Sequence, residues 1–162
     1  MQPGDGFSLQ QFNKTLIEES PVFLMTPADL AADIAQVEET IAEDVEQEGR
    51  HVLVATDFEH RIVGVAGVWR EPYDRAAHDA SCLVHVLRSW SGCSIGRQLA
   101  DRVEHWASER GLRRLTATLL GNNQRGTRFA EARGYRVEVV MQCYARLGER
   151  QVDRIRLVRT IC

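Results

Sequence analysis

Residues Ser81–Gly111, SCLVHVLRSWSGCSIGRQLADRVEHWASERG, admit few folded arrangements. Ser81–Leu87 is apolar and β-branched enough for a buried strand. Ser91-Gly92-Cys93-Ser94 follows as a run of small side chains, and Ile95-Gly96 opens a helix. Ile95, Leu99, Val103 and Trp106 recur at the spacing of one helical face, with Arg97, Asp101, Arg102, Glu104 and Glu109 off it. Gly111 supplies the stop. A small-residue loop at a helix N-terminus leaves several backbone N–H groups unpaired at the positive end of the helix dipole. That geometry can receive a phosphate or pyrophosphate. An ordinary strand-to-helix turn is written in the same letters, and both readings stay open at this point.

The flanking chain supplies the rest of a sheet. Before the central segment, Ser8–Glu19 reads as a helix with Ser8 as its cap, and Ser20-Pro21 breaks it. Thr26-Pro27-Ala28-Asp29 starts a second helical pattern that runs to about Glu48, either unbroken or with one interruption, its many acids forming a solvated face. His51–Thr56 and Arg61–Arg70 form a hairpin around the turn Asp57–His60, with Gly64 and Gly67 marking a bulge. Glu71–His78 is a polar loop. After the central helix come a strand at Arg114–Leu120, a helix at Gln124–Ala132, a strand at Tyr135–Ala145, a turn at Leu147–Arg150 and a last strand at Gln151–Thr160. This order predicts a mixed α/β sheet with helices packed on it, and a ligand at the carboxyl ends of diverging strands.

At 162 residues the chain is expected to form one domain, residues 1–162, with a real core. A net charge of −3 and the lack of a basic block argue against nucleic acid as a partner. Lys14 is the only lysine, so positive charge is nearly all arginine, the residue suited to planar phosphate recognition. Cys82, Cys93, Cys143 and Cys162 make no metal-ligand spacing, and the two in strands read as small core residues. A reducing cytoplasm is expected, with no secretory leader and no membrane span.

From Arg61 onward the chain resembles the GNAT superfamily of acyl-CoA-dependent N-acyltransferases. The segments that carry the resemblance are, in order, RIVGVAGV, SCLVHV, WSGCSIGRQL, NNQRGTRFAEARGY and GERQVDRIRLVR. It implies an α/β (α+β) fold with a mixed, mostly antiparallel central sheet, helices on both faces and splayed central strands. It implies acetyl-CoA as cosubstrate, no metal, and direct transfer of an acetyl group to a primary amine of a small molecule or protein. The alternative is a catalytically weak acyl-CoA-binding or regulatory domain that retains the fold.

Carried over residue by residue, the pyrophosphate loop falls on Ser91, Gly92, Cys93, Ser94, Ile95 and Gly96, with Arg97 beside it. The family's pattern Gln/Arg-x-x-Gly-x-Gly/Ala has serine here at its first position and at its middle glycine. The main chain of Val86, Leu87 and Arg88 matches the stretch that pairs with pantetheine amides. Asn123 matches the asparagine on the cofactor arm, and it also reads as a helix cap. Ala130 stands where the family's tyrosine protonates the departing thiolate, which leaves Tyr144 as a candidate hydroxyl. Candidate bases are His85, on the same strand face as Leu83, and His78 and Asp79 at the strand's entrance. Glu18, Glu19 and Phe23 are expected at the rim of the acceptor pocket. The strand that usually precedes the first helix has almost no sequence here, so that edge is missing or comes from a partner such as a second copy of the chain.

Overall fold

The computed structural model describes residues 1–2, 4–20, 22–30 and 34–161. Its elements are α1 (Gly6–Glu19), α2 (Ile34–Glu46), β1 (Arg50–Thr56), β2 (Ile62–Arg70), β3 (Asp79–Val86), α3 (Ile95–Glu109), β4 (Arg114–Leu120), α4 (Gln124–Ala132), β5 (Arg136–Leu147) and β6 (Arg150–Thr160), with short 3-10 turns between some of them. The six strands form one sheet in the order β1-β2-β3-β4-β6-β5. Every pairing is antiparallel except β3 with β4.

That parallel pair is short. It holds from Asp79 opposite Arg114 to Ser81 opposite Thr116, and then the strands part. The N–H of Leu87 is spent on the Val63 carbonyl of β2. Alternation along a strand therefore turns the N–H and C=O groups of Val84 and Val86 the other way, into the gap.

α3 and α4 cover one face of the sheet, where Leu99, Val103, Ala107 and Ala130 pack with Val68, Leu115 and Leu157. α1 covers the other face over β2, where Phe12 and Leu16 meet Ile62 and Val65. α2 lies on that face too, and Asp44 there accepts from both the Trp69 indole and Arg50. The mixed, mostly antiparallel sheet with helices on both faces and splayed central strands is thus present as expected.

Several local expectations are corrected. Only the carboxylate half of the capping box expected at Thr26 forms: Asp29 accepts from the Thr26 N–H and hydroxyl, each at 2.7 Å, while the Asp29 N–H donates to the Thr26 main-chain carbonyl and not to its hydroxyl. The turn it starts is 3-10 and ends at Leu30. Residues 31–33, the break expected at Pro21, and Cys162 lie outside the described residues. Ser8 is not the cap of α1, which begins two residues earlier. Glu38 of α2 reaches the start of α1 instead, accepting from the N–H groups of Gly4 and Gly6 at 2.9 and 2.7 Å. That acid is therefore not merely part of a solvated face.

Gly64 and Gly67 mark no bulge; the register shift of this hairpin falls at Ala55/Thr56. A Cβ on Gly67 would collide with the Trp69 ring, so the glycine makes room for the indole that α2 holds. Cys82 is a core residue, bonded to the Tyr135 hydroxyl and pushed up to about 11 by burial. Cys143 is not: it is exposed, at a positive φ in a bulge of β5. Among the described residues no helix is long and apolar enough to cross a membrane.

Candidate active site

Beside the parting strands lies a cleft of about 590 Å³. Val84, His85 and Val86 of β3 line it, together with Ser91, Gly92, Ser94, Ile95, Gly96 and Arg97 of the loop and first turn of α3. Asn123 and the first turns of α4 close one side, and the end of α1 with Phe23 closes the other.

The loop leaves its amides open. Ser91 donates back to Arg88, and Gln98 donates to Ser94. The six amides between them, Gly92 to Arg97, find no acceptor among the described residues. They form the positive end of a 15-residue helix. Arg88, Arg97 and Arg125 also line the cleft, and none forms an ion pair among the described residues. The site can therefore hold a group with several negative charges.

Ser94 stands in the left-handed region at φ 61°, where the family has its middle glycine. An L-residue is disfavoured there by about 1–2 kcal/mol because Cβ crowds the backbone. Ser94→Gly should raise the unfolding free energy by about 1 kcal/mol, read as a higher urea midpoint at unchanged slope.

The sequence-predicted residues divide. Val86, Ser91, Gly92, Ser94, Ile95, Gly96, Arg97, Arg88 and Asn123 come together in the cleft. Leu87 does not: its side chain is buried under α1 and its N–H is used by β2. The N–H of Arg88 is also taken, by the Glu19 carboxylate at 2.6 Å, so only its side chain is free for a ligand. Cys93 contributes an open amide, but its side chain lies outside the cleft. Asn123 is the expected helix cap, its side chain accepting from the Gly126 N–H at 2.8 Å, and it also lines the cleft. Arg125, Phe129 and Trp90 line it too, beyond the residues the sequence points to. For Arg125 the signal was available: it follows Asn123 by two residues, inside the first turn of a helix aimed at the loop.

His85 sits in the cleft on the α1 side of the sheet, edge-on to Phe23 with ring centroids 5.1 Å apart. Burial holds its pKa down at about 4, against an ordinary 6.5. It is neutral at pH 7 and a weak proton acceptor. His78 and Asp79 are at the opposite end of β3, where the His78 carbonyl ties down β4 and Asp79 is bound to Arg114. Tyr144 is not brought to the cleft either; its hydroxyl accepts from Arg154 at 2.6 Å on the far hairpin. Glu19 and Phe23 reach the cleft, whereas Glu18 does not.

Native and unfolded forms differ in His85 protonation between about pH 6.5 and 4. The unfolded chain binds the extra proton there, so stability should fall as pH drops through that window. His85→Gln should flatten the drop, as measured by urea unfolding at neutral and mildly acid pH.

These features define an acyltransferase fold with a loop of open amides beside splayed strands. The chain belongs to the acetyltransferase (GNAT) family, whose model matches residues 15–135. No curated protein sequence matches it. Solved structures share its fold at low identity. An acetyltransferase of the GNAT family from Streptococcus pneumoniae is 18% identical with a TM-score of 0.88, over 99% of this chain and 96% of that one. Ribosomal-protein-alanine N-acetyltransferase from Brucella melitensis is 20% identical with a TM-score of 0.84, over 99% and 97%. A phosphinothricin acetyltransferase from Sinorhizobium meliloti, solved in complex with acetyl-CoA, is 14% identical with a TM-score of 0.85, over 99% and 85%.

Proposed function

We propose that this chain, acting as one domain, transfers an acetyl group from acetyl-CoA to a primary amine by direct attack. The observation that carries the reading is the row of open amides from Gly92 to Arg97 beside the gap between β3 and β4. The amides suit a diphosphate, and Arg88, Arg97 and Arg125 suit further phosphate charge. Pantetheine amides fit the gap, where Val84 and Val86 have main-chain groups to spare. The Sinorhizobium meliloti neighbour was solved with acetyl-CoA, which favours the same cosubstrate here. A cytoplasmic site of action fits a cosubstrate of that kind.

The thioester carbonyl then lies near Val86, whose N–H donates to the oxygen as negative charge builds on it. The neutral amine attacks the carbonyl carbon, and the tetrahedral adduct collapses with loss of the CoA thiolate, which takes up the proton that the nitrogen sheds as the amide forms. His85, held neutral, is a poor store for the proton of an ammonium ion, so that proton passes to water. The log of kcat/KM should therefore rise with pH up to the acceptor's own pKa, with no inflection near 6.5. A pH–rate profile with two amines of different pKa checks this.

A second reading, acyl-CoA binding without efficient transfer, is favoured by Ala130, which offers no hydroxyl where the family has its acid. Thiol release from acetyl-CoA against an amine panel separates the two. Amine-dependent release supports transfer, binding without release supports the second reading, and failure to bind acetyl-CoA defeats both.

A further inference from the structure

The most conspicuous unspent charge lies on β6, outside the cleft. Ile155 and Leu157 of β6 pack toward α3, so alternation turns Arg154 and Arg156 to the opposite face. Opposite them on β4 are Leu120 and Thr118. Further back on the same β4 face, Arg114 and Thr116 bond to Asp79 of β3. Two, four and six residues beyond Asp79 come Ser81, Leu83 and His85. Arg154 and Arg156 therefore look out from the same side of the sheet as His85, across the gap from it. α1 and α2 make most of their sheet contacts over β1 and β2, and Thr118 and Arg156 are exposed.

Arg154 is oriented without being neutralised. Its Nη1 donates to the Tyr144 hydroxyl at 2.6 Å, and its guanidinium lies 4.7 Å from the centre of that ring. Its Nε is shut off from solvent and has no hydrogen-bond partner. Arg50, Arg61, Arg114, Arg133 and Arg159 are each bonded to a carboxylate. Arg154 and Arg156 make no ion pair among the described residues. The carboxylates of Asp79 and Glu138 are already taken by Arg114. Adjacent like charges repel, and a buried donor without an acceptor forfeits its solvation. An arriving anion would relieve the repulsion between the two guanidinium groups.

We propose that Arg154 and Arg156, with Tyr144 holding the first in place, form an anion subsite for the acceptor. The proposal rests on the acyl-transfer reading and narrows its substrate class to an amine that also carries a carboxylate or phosphate. With β4 between β3 and β6, the amine and the anion are separated by two strand spacings, roughly 10 Å, and more where the strands splay.

Calorimetry on the full chain saturated with CoA tests this, using ω-amino carboxylates of increasing length, the matching ω-aminoalkyl phosphates, and plain n-alkylamines. One or both anionic series should bind at least roughly tenfold tighter than the alkylamines, and whichever binds tighter identifies the anion. Arg154→Gln should weaken anionic amines by roughly 10- to 100-fold and leave alkylamines and CoA unchanged. Arg156→Gln, at an exposed position, should give a smaller loss with the same selectivity, and serves if the first variant fails to fold. Equal binding of charged and neutral series to the wild-type chain, or equal losses for both in the variants, overturns the subsite. Failure of CoA to bind defeats the acyl-transfer reading instead, and the same titrations on the chain alone still decide the subsite.

Discussion

Ala130→Tyr should raise kcat for acetyl transfer by roughly 10²-fold, the lower end of what a positioned general acid contributes. The leaving thiolate explains the size. With an ordinary thiol pKa near 8.5, it departs about 2 kcal/mol uphill at neutral pH unless something protonates it. The hydroxyls lining the cleft belong to Ser20, Ser91 and Ser94, all weaker acids than a phenol. Residue 130 lies one helical turn past Gly126 and next to Phe129, both of which line the cleft. The same position is 6% exposed and packed in the α3-side core, so the larger ring must displace neighbours. Overpacking of that kind costs about 1–3 kcal/mol, and the variant should melt several degrees lower while turning over faster. Ala130→Phe supplies the ring without the hydroxyl and separates the two effects. If the tyrosine and phenylalanine variants share one kcat, the missing acid is not what limits this chain.

Legibility in the sequence followed the range of the interactions. The strands, α3 and α4 could be read to within one or two residues because their apolar periodicity and their Asn123 and Gly111 signals are local. The loop at Ser91–Gly96 was readable for the same reason: small residues ahead of an amphipathic helix leave amides open whatever packs around them. Interactions between distant segments were not readable. Glu38 looks like one acid among many until α1 folds across α2 and presents the Gly4 and Gly6 amides. Gly67 reads as strand weakness until the Trp69 indole lies over it. Tyr144 and His85 have the same claim by residue chemistry, yet of the two His85 alone lines the cleft. A bulge between Met141 and Ala145 decides where Tyr144 points, and nothing in the letters marks that bulge.

The largest stability loss is expected from Glu104→Ala. Glu104 projects from α3, and its carboxylate takes two hydrogen bonds from Arg133, at 2.8 and 2.6 Å, and one from Arg159. The Arg133 and Glu104 side chains are each 13% exposed. Arg133 is the C-cap of α4 and Arg159 is on β6, so one carboxylate ties α3, α4 and the sheet together. Removing it leaves two guanidinium groups facing each other, with Asp101, more exposed, the one carboxylate among the described residues still paired with Arg133. Breaking a buried pair by deleting one partner costs 3–5 kcal/mol, and partial exposure puts this case near the low end, about 3 kcal/mol. For a chain of this length that corresponds to a fall of roughly 6–12 °C in Tm. Glu104→Ala combined with Arg133→Ala should cost less than the sum of the single changes, because the second deletion removes a charge the first had stranded. Additive losses in that cycle would mean that the arginines are solvated independently and that the carboxylate does not hold α3 to α4. Since α3 presents the open amides from its first turn, acetyl-CoA affinity in the folded fraction should stay near wild type while stability falls.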